Sequence, residues 1–163
     1  MALKEKIQAE VKKAMLDRNA LEVSTLRMLL AAVLNKEKEK RAKLSKEEKD
    51  VAKLEQLSKL NDDEVLEVIS SEVKKRKDSI EQFGQAGRND LVEKEKKELE
   101  MLMKYMPEQM PEDEIRKIVK EKIQELGLGG KNEIGKLMGA IMPQLKGKTD
   151  GSLVSKIVSE ELK

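Results

Sequence analysis

The chain has 163 residues, no cysteine and no histidine, and its 34 basic residues nearly balance its 32 acidic residues. These numbers exclude a disulfide framework, thiolate catalysis and a strong overall attraction to nucleic acid or membrane. Charged residues make up 40% of the chain and aromatic residues only 1%, so any core must be aliphatic. Abundant Lys, Glu and Leu, with three prolines, favour an all-α fold.

The first third of the sequence predicts two amphipathic helices and a charged continuation. Apolar residues recur every four positions in the first helix, at Leu3, Ile7, Val11 and Met15. The second helix is predicted to bury a stripe of Val23, Leu26, Leu30, Val33 and Leu34. Residues 36–50 are mostly charged, which is typical of a solvated helical extension or a mobile linker. Ser45 with Glu48 forms a possible capping box for a short helix after it.

The next two helices are longer and are separated by glycines. Asn61 with Glu64 has the spacing of a helix start. The helix that follows is interrupted at Gly84 and Gly87, and another begins near Asn89. Arg76 falls on the apolar stripe, so we expect it to be partly buried and paired with a carboxylate.

The segment "MPEQMP", residues 106–111, is the clearest boundary in the chain. Two prolines four positions apart cannot both lie inside one regular helix. Three shorter helical patterns follow, the first ending at Gly127 and the second near Pro143. The sequence therefore predicts an N-terminal helical domain of residues 1–106 and a compact C-terminal three-helix domain of residues 107–163.

No catalytic constellation is found, and we expect no catalytic residue, metal or cofactor. The chain offers neither an imidazole base nor a thiol nucleophile. Residues 147–149, "GKT", match the end of a phosphate-binding loop. That motif needs a glycine where this chain has Met142, and a preceding strand where this chain has a helix.

Glycines are concentrated in the last quarter of the chain, where they suit either packing or a binding site. Gly135 and Gly139 share one helix face and would let a neighbouring backbone approach closely. Gly147 suits a helix C-terminus, and Asp150 suits the N-cap of the last helix, with Gly151 in its first turn. Packing and capping account for all four glycines, whereas the binding interpretation needs charge as well.

That charge is supplied by Lys131, Lys136, Lys146 and Lys148, which face only one acidic residue, Glu133, in the same stretch. A helix N-terminus beside these lysines could hold a phosphate, although Asp150 would compete for it. With almost no aromatic residues, any nucleic-acid contact should be to backbone and shape rather than to stacked bases.

The chain resembles the GatB/YqeY family, specifically its stand-alone YqeY-like proteins. Three segments carry the resemblance in the family's order: "STLRMLLAAVLNKE", "SSEVKKRKDSIEQFGQAGRNDLVEKEKKELEMLMKYMPEQ" and "IGKLMGAIMPQLKGKTDGSLVSKIVSEELK". The resemblance implies a two-part all-helical fold. It also implies that the C-terminal part is similar to the tail of the GatB subunit of aspartyl/glutamyl-tRNA amidotransferase, which contacts the outer corner of tRNA while catalysis resides elsewhere.

From this resemblance we expect a non-catalytic module that binds tRNA or associates with a tRNA amidotransferase. The candidate nucleic-acid-binding residues are Lys131, Lys136, Lys146 and Lys148. The candidate site-shaping residues are Gly135, Gly139, Gly147, Asp150 and Gly151. The family's label of carbon–nitrogen ligase activity, with glutamine as amido-N-donor, would then describe relatives of this chain, and we do not expect the chain to catalyse that reaction alone.

Two other interpretations stay open. The first is a protein–protein interaction module that uses exposed Leu and Met on the N-terminal helices and binds no RNA. The second is an amidotransferase acting independently. No segment approaches the roughly 20 apolar residues of a membrane span, so we expect no membrane partner and a cytoplasmic protein.

Overall fold

The computed structural model describes residues 2–162, and within them every regular element is helical, which confirms the predicted all-α class. The α-helices are α1 (Leu3–Leu16), α2 (Ala20–Leu44), α3 (Val51–Ser58), α4 (Asp62–Gln85), α5 (Asn89–Met103), α6 (Glu112–Leu126), α7 (Ile134–Leu145) and α8 (Gly151–Glu161). A 3₁₀ turn, Lys131–Glu133, directly precedes α7. None of the helices in residues 2–162 is long and apolar enough to cross a membrane.

The helices form two compact units, one ending at Tyr105 and the other beginning at Met106. Pro107 and Pro111 lie in the irregular segment between α5 and α6. Each proline lacks an amide donor and disfavours helical backbone in the residue before it, which explains why no helix runs through this segment.

In the N-terminal unit, α2 supplies fully buried side chains at Leu26, Leu29 and Val33. The predicted stripe is wrong at Leu34, whose side chain is exposed. Polar residues complete the buried face instead. The Thr25 hydroxyl donates to the Leu21 carbonyl at 2.8 Å, and Lys4 Nζ lies 2.7 Å from the Glu37 carboxylate. Because these pairings satisfy the polar atoms, the 3.6-residue period continues through residues that are not apolar.

The charged segment of residues 36–50 is a helical extension for most of its length, since α2 continues to Leu44. The predicted capping box at Ser45 is wrong, because Ser45 is the C-cap of α2. The N-cap of α3 is Asp50, whose carboxylate accepts a hydrogen bond from the Lys53 amide at 3.0 Å. A serine hydroxyl suits either helix end, so the spacing alone did not decide between them.

The start of α4 agrees with the sequence. The Asn61 side chain accepts from the Glu64 amide, and the Glu64 carboxylate accepts from the Asn61 amide, both at 2.9 Å. This reciprocal pair is a capping box, and it confirms the helix start predicted at Asn61. Gly84 lies inside α4, and Gly87 follows it with a left-handed backbone, φ 70°.

Arg76 joins α4 to α5 through buried ion pairs, as its position on the apolar stripe predicted. Arg76 is 7% exposed, and its Nε lies 2.9 Å from Oε2 of Glu98, which is 4% exposed. The same nitrogen is 3.4 Å from Glu95 Oε2, an ion pair without a hydrogen bond to that oxygen. Glu72, one turn before Arg76, completes the cluster at 3.7 Å. A guanidinium surrounded by carboxylates fixes how the two helices meet.

In the C-terminal unit, α6, α7 and α8 enclose an aliphatic core that includes Ile115, Val119, Leu137, Ile141, Leu145, Val154, Ile157 and Val158. The predicted end of α6 is confirmed, because Gly127 follows it with φ 61°. Arg116 links α6 to α8, with Nη1 2.7 Å from Glu161 and Nη2 2.9 Å from Glu160.

α7 extends two residues beyond the predicted end at Pro143. Leu145 is fully buried in the core, and burying such a side chain contributes about 1.5–3 kcal/mol. That gain offsets the single helical hydrogen bond that Pro143 cannot donate.

Candidate nucleic-acid interface

The candidate site lies on α7, a helix whose two faces differ sharply. Leu137, Ile141 and Leu145 are fully buried on the core side. The opposite side carries Gly135, Lys136, Gly139 and Pro143, all exposed. We call these four residues the bare face of α7, because Lys136 has its only long side chain. The apolar period places the core residues on one side, and the glycines therefore fall on the other.

The predicted role of Gly135 and Gly139 in close helix packing is wrong. A Cβ atom built at either position would have no atom of the described residues within 4 Å. Both glycines face open space because their positions lie opposite the core stripe. Each glycine costs about 1 kcal/mol of helix propensity relative to alanine, and no packing inside the unit offsets that cost.

Pro143 interrupts the backbone hydrogen bonding of α7 on its bare face. A proline has no amide hydrogen, so it cannot donate to the carbonyl of Gly139, four residues before it. The sequence showed Pro143 only as a helix end and assigned it no role in the site. The structure instead places Pro143 inside α7, two residues before the helix ends.

Gly147 lies in the turn after α7 and has a left-handed backbone, φ 76°. A Cβ atom built at Gly147 would lie 3.3 Å from Pro107 Cγ, which is closer than most Cβ contacts in proteins. Gln109 Nε2 donates to the Gly147 carbonyl at 2.9 Å, and the Met110 amide donates to the Lys148 carbonyl at 2.7 Å. These contacts hold the turn in place, and sequence reasoning had not connected residues 107–110 with it.

The N-terminus of α8 is already occupied by the chain's own carboxylate. Asp150 is the N-cap, and its side chain accepts from the Ser152 amide at 2.9 Å. Gly151 is the first residue of the helix and is exposed. Because Asp150 supplies a negative charge and an acceptor at this end, a phosphate there would be repelled.

The four candidate lysines, Lys131, Lys136, Lys146 and Lys148, are all exposed and lie at both ends of α7. Lys131 and Lys136 lie in the 3₁₀ turn and the first turn of the helix, whereas Lys146 and Lys148 follow its end. A helix of 12 residues is about 18 Å long. The lysines are therefore spread along the helix and suit several phosphates rather than one.

No acidic residue occurs in the sequence from Ile134 to Thr149, the stretch that contains Lys136, Lys146 and Lys148. Glu133, just before α7, accepts a hydrogen bond from the Gly129 amide at 2.9 Å. No group of three or more acidic side chains that could hold a metal ion occurs in the described part of the chain. The arrangement offers cations, exposed backbone and no identified nucleophile or base.

Comparison with known proteins gives consistent matches over nearly the whole chain. A family model described as "Yqey-like protein" matches residues 4–162. The "Altered inheritance of mitochondria protein 41, mitochondrial" of Pyrenophora tritici-repentis is 32% identical over 158 residues, which cover 95% of this chain and 78% of the relative. The protein of that name from Clavispora lusitaniae is 31% identical over 147 residues, covering 88% and 74%. The Saccharomyces cerevisiae protein is 30% identical over 105 residues, covering 64% and 48%.

The names of these relatives bear on two expectations, the compartment of the protein and its enzymatic activity. The expectation of a cytoplasmic protein is wrong by this comparison, because the relatives are named as mitochondrial proteins. The features behind it, balanced charge and no apolar span, do not distinguish one aqueous compartment from another. The relatives' names state no enzymatic activity.

Proposed function

Because the chain belongs to the family of Yqey-like proteins, as its sequence segments predicted, we propose that its C-terminal unit binds tRNA without catalysing a reaction. The observation that carries the proposal is the bare face of α7. Gly135 and Gly139 lie open on a helix where neither improves packing, and Lys136 lies beside them. An open backbone surface next to a cation suits a ligand that approaches closely and carries negative charge.

The chemistry of this surface favours RNA recognised by its backbone. A ribose–phosphate chain offers phosphates to the lysines, and its 2′-hydroxyls can donate to backbone carbonyls. The surface has no aromatic side chain on which an unpaired base could stack, since the chain's one Phe and one Tyr lie before residue 106. We therefore infer recognition of folded RNA by shape, with little readout of base sequence.

We further infer that any link to tRNA amidation runs through partner proteins. The resemblance to the tail of the GatB subunit of aspartyl/glutamyl-tRNA amidotransferase supports a role in holding tRNA while another protein performs the amide chemistry. The absence of His and Cys from the sequence supports this division of roles. Glutamine-dependent amidation of misacylated tRNA by the purified chain alone would contradict it.

The first experiment is a fluorescence-anisotropy titration of the full chain with tRNA and with an unstructured RNA of equal length, at two salt concentrations. We expect tighter binding to tRNA, and a slope of log affinity against log salt of about −3 to −4 if four phosphates are neutralised. Changing Lys136, Lys146 and Lys148 together to Gln should reduce both affinity and slope.

A matched control is the triple change of Lys74, Lys77 and Lys97 to Gln. These lysines are also exposed and lie on α4 and α5, and their replacement removes the same amount of charge. If both triple variants lose tRNA affinity equally, the binding is non-specific and the assigned surface is wrong.

A glycine variant separates binding from folding. Gly135→Gln and Gly139→Gln each place a long side chain where nothing lies within 4 Å, so the fold should accept them. Glutamine raises helix propensity by about 0.5–1 kcal/mol per site, and the variants should be more stable. We expect them to bind tRNA more weakly nonetheless, because the added side chains cover the bare face of α7. Undiminished tRNA affinity in the double variant would overturn the proposal.

A further inference from the structure

The outer face of α2 is a second exposed surface, and it lies in the N-terminal unit. We define it by six residues, Arg27, Met28, Ala31, Leu34, Lys38 and Arg41, all of them exposed. Their spacing of three, four and seven positions places them on one side of the helix. The core residues Leu26, Leu29 and Val33 lie on the other side, so the fold does not use this face.

The outer face of α2 is both apolar and cationic. Met28 is 49% exposed and Leu34 is 47% exposed, with the small Ala31 between them. Arg27 lies against Met15 of α1, with Nη2 3.5 Å from the sulfur, and Met15 is itself 51% exposed. Arg27 therefore links the outer face of α2 to an exposed apolar side chain of α1.

The cations of this face have no carboxylate partner among residues 2–162, in a chain with nearly equal numbers of acids and bases. The two nearby acids of α2 are engaged elsewhere. Glu37 points inward and pairs with Lys4 at 2.7 Å, while Glu39 pairs with Lys36 at 3.3 Å. The outer face of α2 thus carries three positive charges and no negative one.

We propose that the outer face of α2 docks an acidic amphipathic helix of a partner protein. Apolar side chains of that helix would pack on Met28 and Leu34, with close approach at Ala31, and its flanking carboxylates would pair with the cations. From Arg27 to Arg41 the face is about 21 Å long, which matches four turns of a partner helix.

The mixture of side chains favours a helix over other anionic occupants. A nucleic-acid backbone would use the cations but gain nothing from Met28 and Leu34. An anionic membrane needs a broad apolar face with aromatic or large aliphatic anchors, which these few side chains do not supply. This proposal is independent of tRNA binding by the C-terminal unit.

The test uses a designed, fluorescently labelled peptide of about four helical turns, with Leu along one face and Glu on the flanks. We expect the full chain to bind it, and the triple variant Arg27→Glu, Lys38→Glu, Arg41→Glu to weaken binding by about tenfold or more. A peptide with Lys in place of Glu should bind the charge-reversed variant instead. Exchange of Lys74, Lys77 and Lys97 for Glu should leave peptide affinity unchanged.

The apolar arm of the test is the double variant Met28→Ser, Leu34→Ser, which should also weaken binding of the peptide. Four results would overturn the proposal. The first is that the wild-type chain does not bind the peptide, and the second is that the control triple variant loses peptide binding equally. The third is that charge reversal weakens binding of tRNA or anionic vesicles but not of the peptide. The fourth is that the chain self-associates and that charge reversal abolishes this association. The Lys136, Lys146, Lys148 variant should bind the peptide normally, which separates this surface from the bare face of α7.

Discussion

The two units leave different parts of themselves exposed. In the N-terminal unit, large apolar side chains such as Leu16, Met28 and Leu34 are open to solvent, and Leu16 is 83% exposed. Among the described residues from Met106 on, no large apolar side chain is exposed to that degree. There the exposed feature is backbone, at Gly135 and Gly139 of α7.

The units also use arginine differently. Arg76 is buried with its carboxylates between α4 and α5, whereas the Arg116 side chain is 29% exposed and bridges α6 and α8 at the surface. A buried charge fixes geometry because leaving it unpaired is costly, while an exposed pair competes with water. Similar amphipathic helices can therefore expose either side chains or backbone, depending on which residues lie at the positions that face away from the core.

The largest expected effect comes from breaking the buried cluster with Arg76→Met. This change removes the buried cation that lies among Glu72, Glu95 and Glu98, and losing one partner of a buried pair costs about 3–5 kcal/mol. Amide hydrogen exchange of the full chain should show lost protection in α4 and α5. Protection in α6 to α8 should hardly change, because that unit has its own core.

Arg88→Met is the control for this prediction. Arg88 lies in the turn before α5, and its exposed guanidinium pairs with Asp90 at 3.0 Å. Removing it should change protection little. If Arg76→Met were as mild as Arg88→Met, the buried cluster would not be what holds α4 to α5.

The sequence predicted that the chain is helical and where most helices lie. It did not predict every residue that faces solvent. The period identified the core residues Leu26 and Val33 but placed Leu34 with them, because an apolar stripe does not include the polar residues Thr25 and Glu37 that are buried. Thr25 bonds the Leu21 carbonyl of its own helix, whereas Lys4, the partner of Glu37, is brought to it by the packing of α1 on α2. A pattern of apolar residues therefore cannot identify polar residues that are buried in the core.

The candidate site shows the same limit. Spacing predicted that Gly135 and Gly139 share a face, and the structure agrees. The apolar positions Leu137 and Ile141 imply that this face points away from the core, but they do not show that no neighbouring helix packs against it. The Gln109 contact to the Gly147 turn joins residues 38 positions apart and has no local signature.

A medium effect is expected from Gly147→Ala in the C-terminal unit. Alanine at φ 76° costs about 1–2 kcal/mol, and its Cβ would press on Pro107 Cγ at 3.3 Å. Thermal unfolding followed by circular dichroism should show a lower midpoint. Gly151→Ala is the matched control, because a Cβ there meets nothing within 4 Å and its backbone is helical. Equal midpoints for the two variants would mean that the turn after α7 is not constrained.

The smallest effect is a pH dependence at Arg116. Its hydrogen bond holds the pKa of Glu161 below the usual 4.5, with a further contribution from the charge of Lys120. A lowered pKa in the folded state means that the pair stabilises the unit above the ordinary glutamate pKa. That stability is lost as the pH falls through the lower, folded value.

Arg116→Gln should therefore reduce the stability of the C-terminal unit at neutral pH and reduce it less as the solution becomes acidic. The difference between the two proteins should vanish once Glu161 and the other carboxylates that pair with Arg116, Glu112 and Glu160, are protonated. Urea unfolding at a series of pH values measures this convergence. Lys117→Gln, which removes an exposed pair with Glu121 at 3.9 Å, provides the comparison. A gap between wild type and Arg116→Gln that stays constant down to acidic pH would show that Arg116 stabilises the unit by packing its aliphatic stem rather than by its ion pairs.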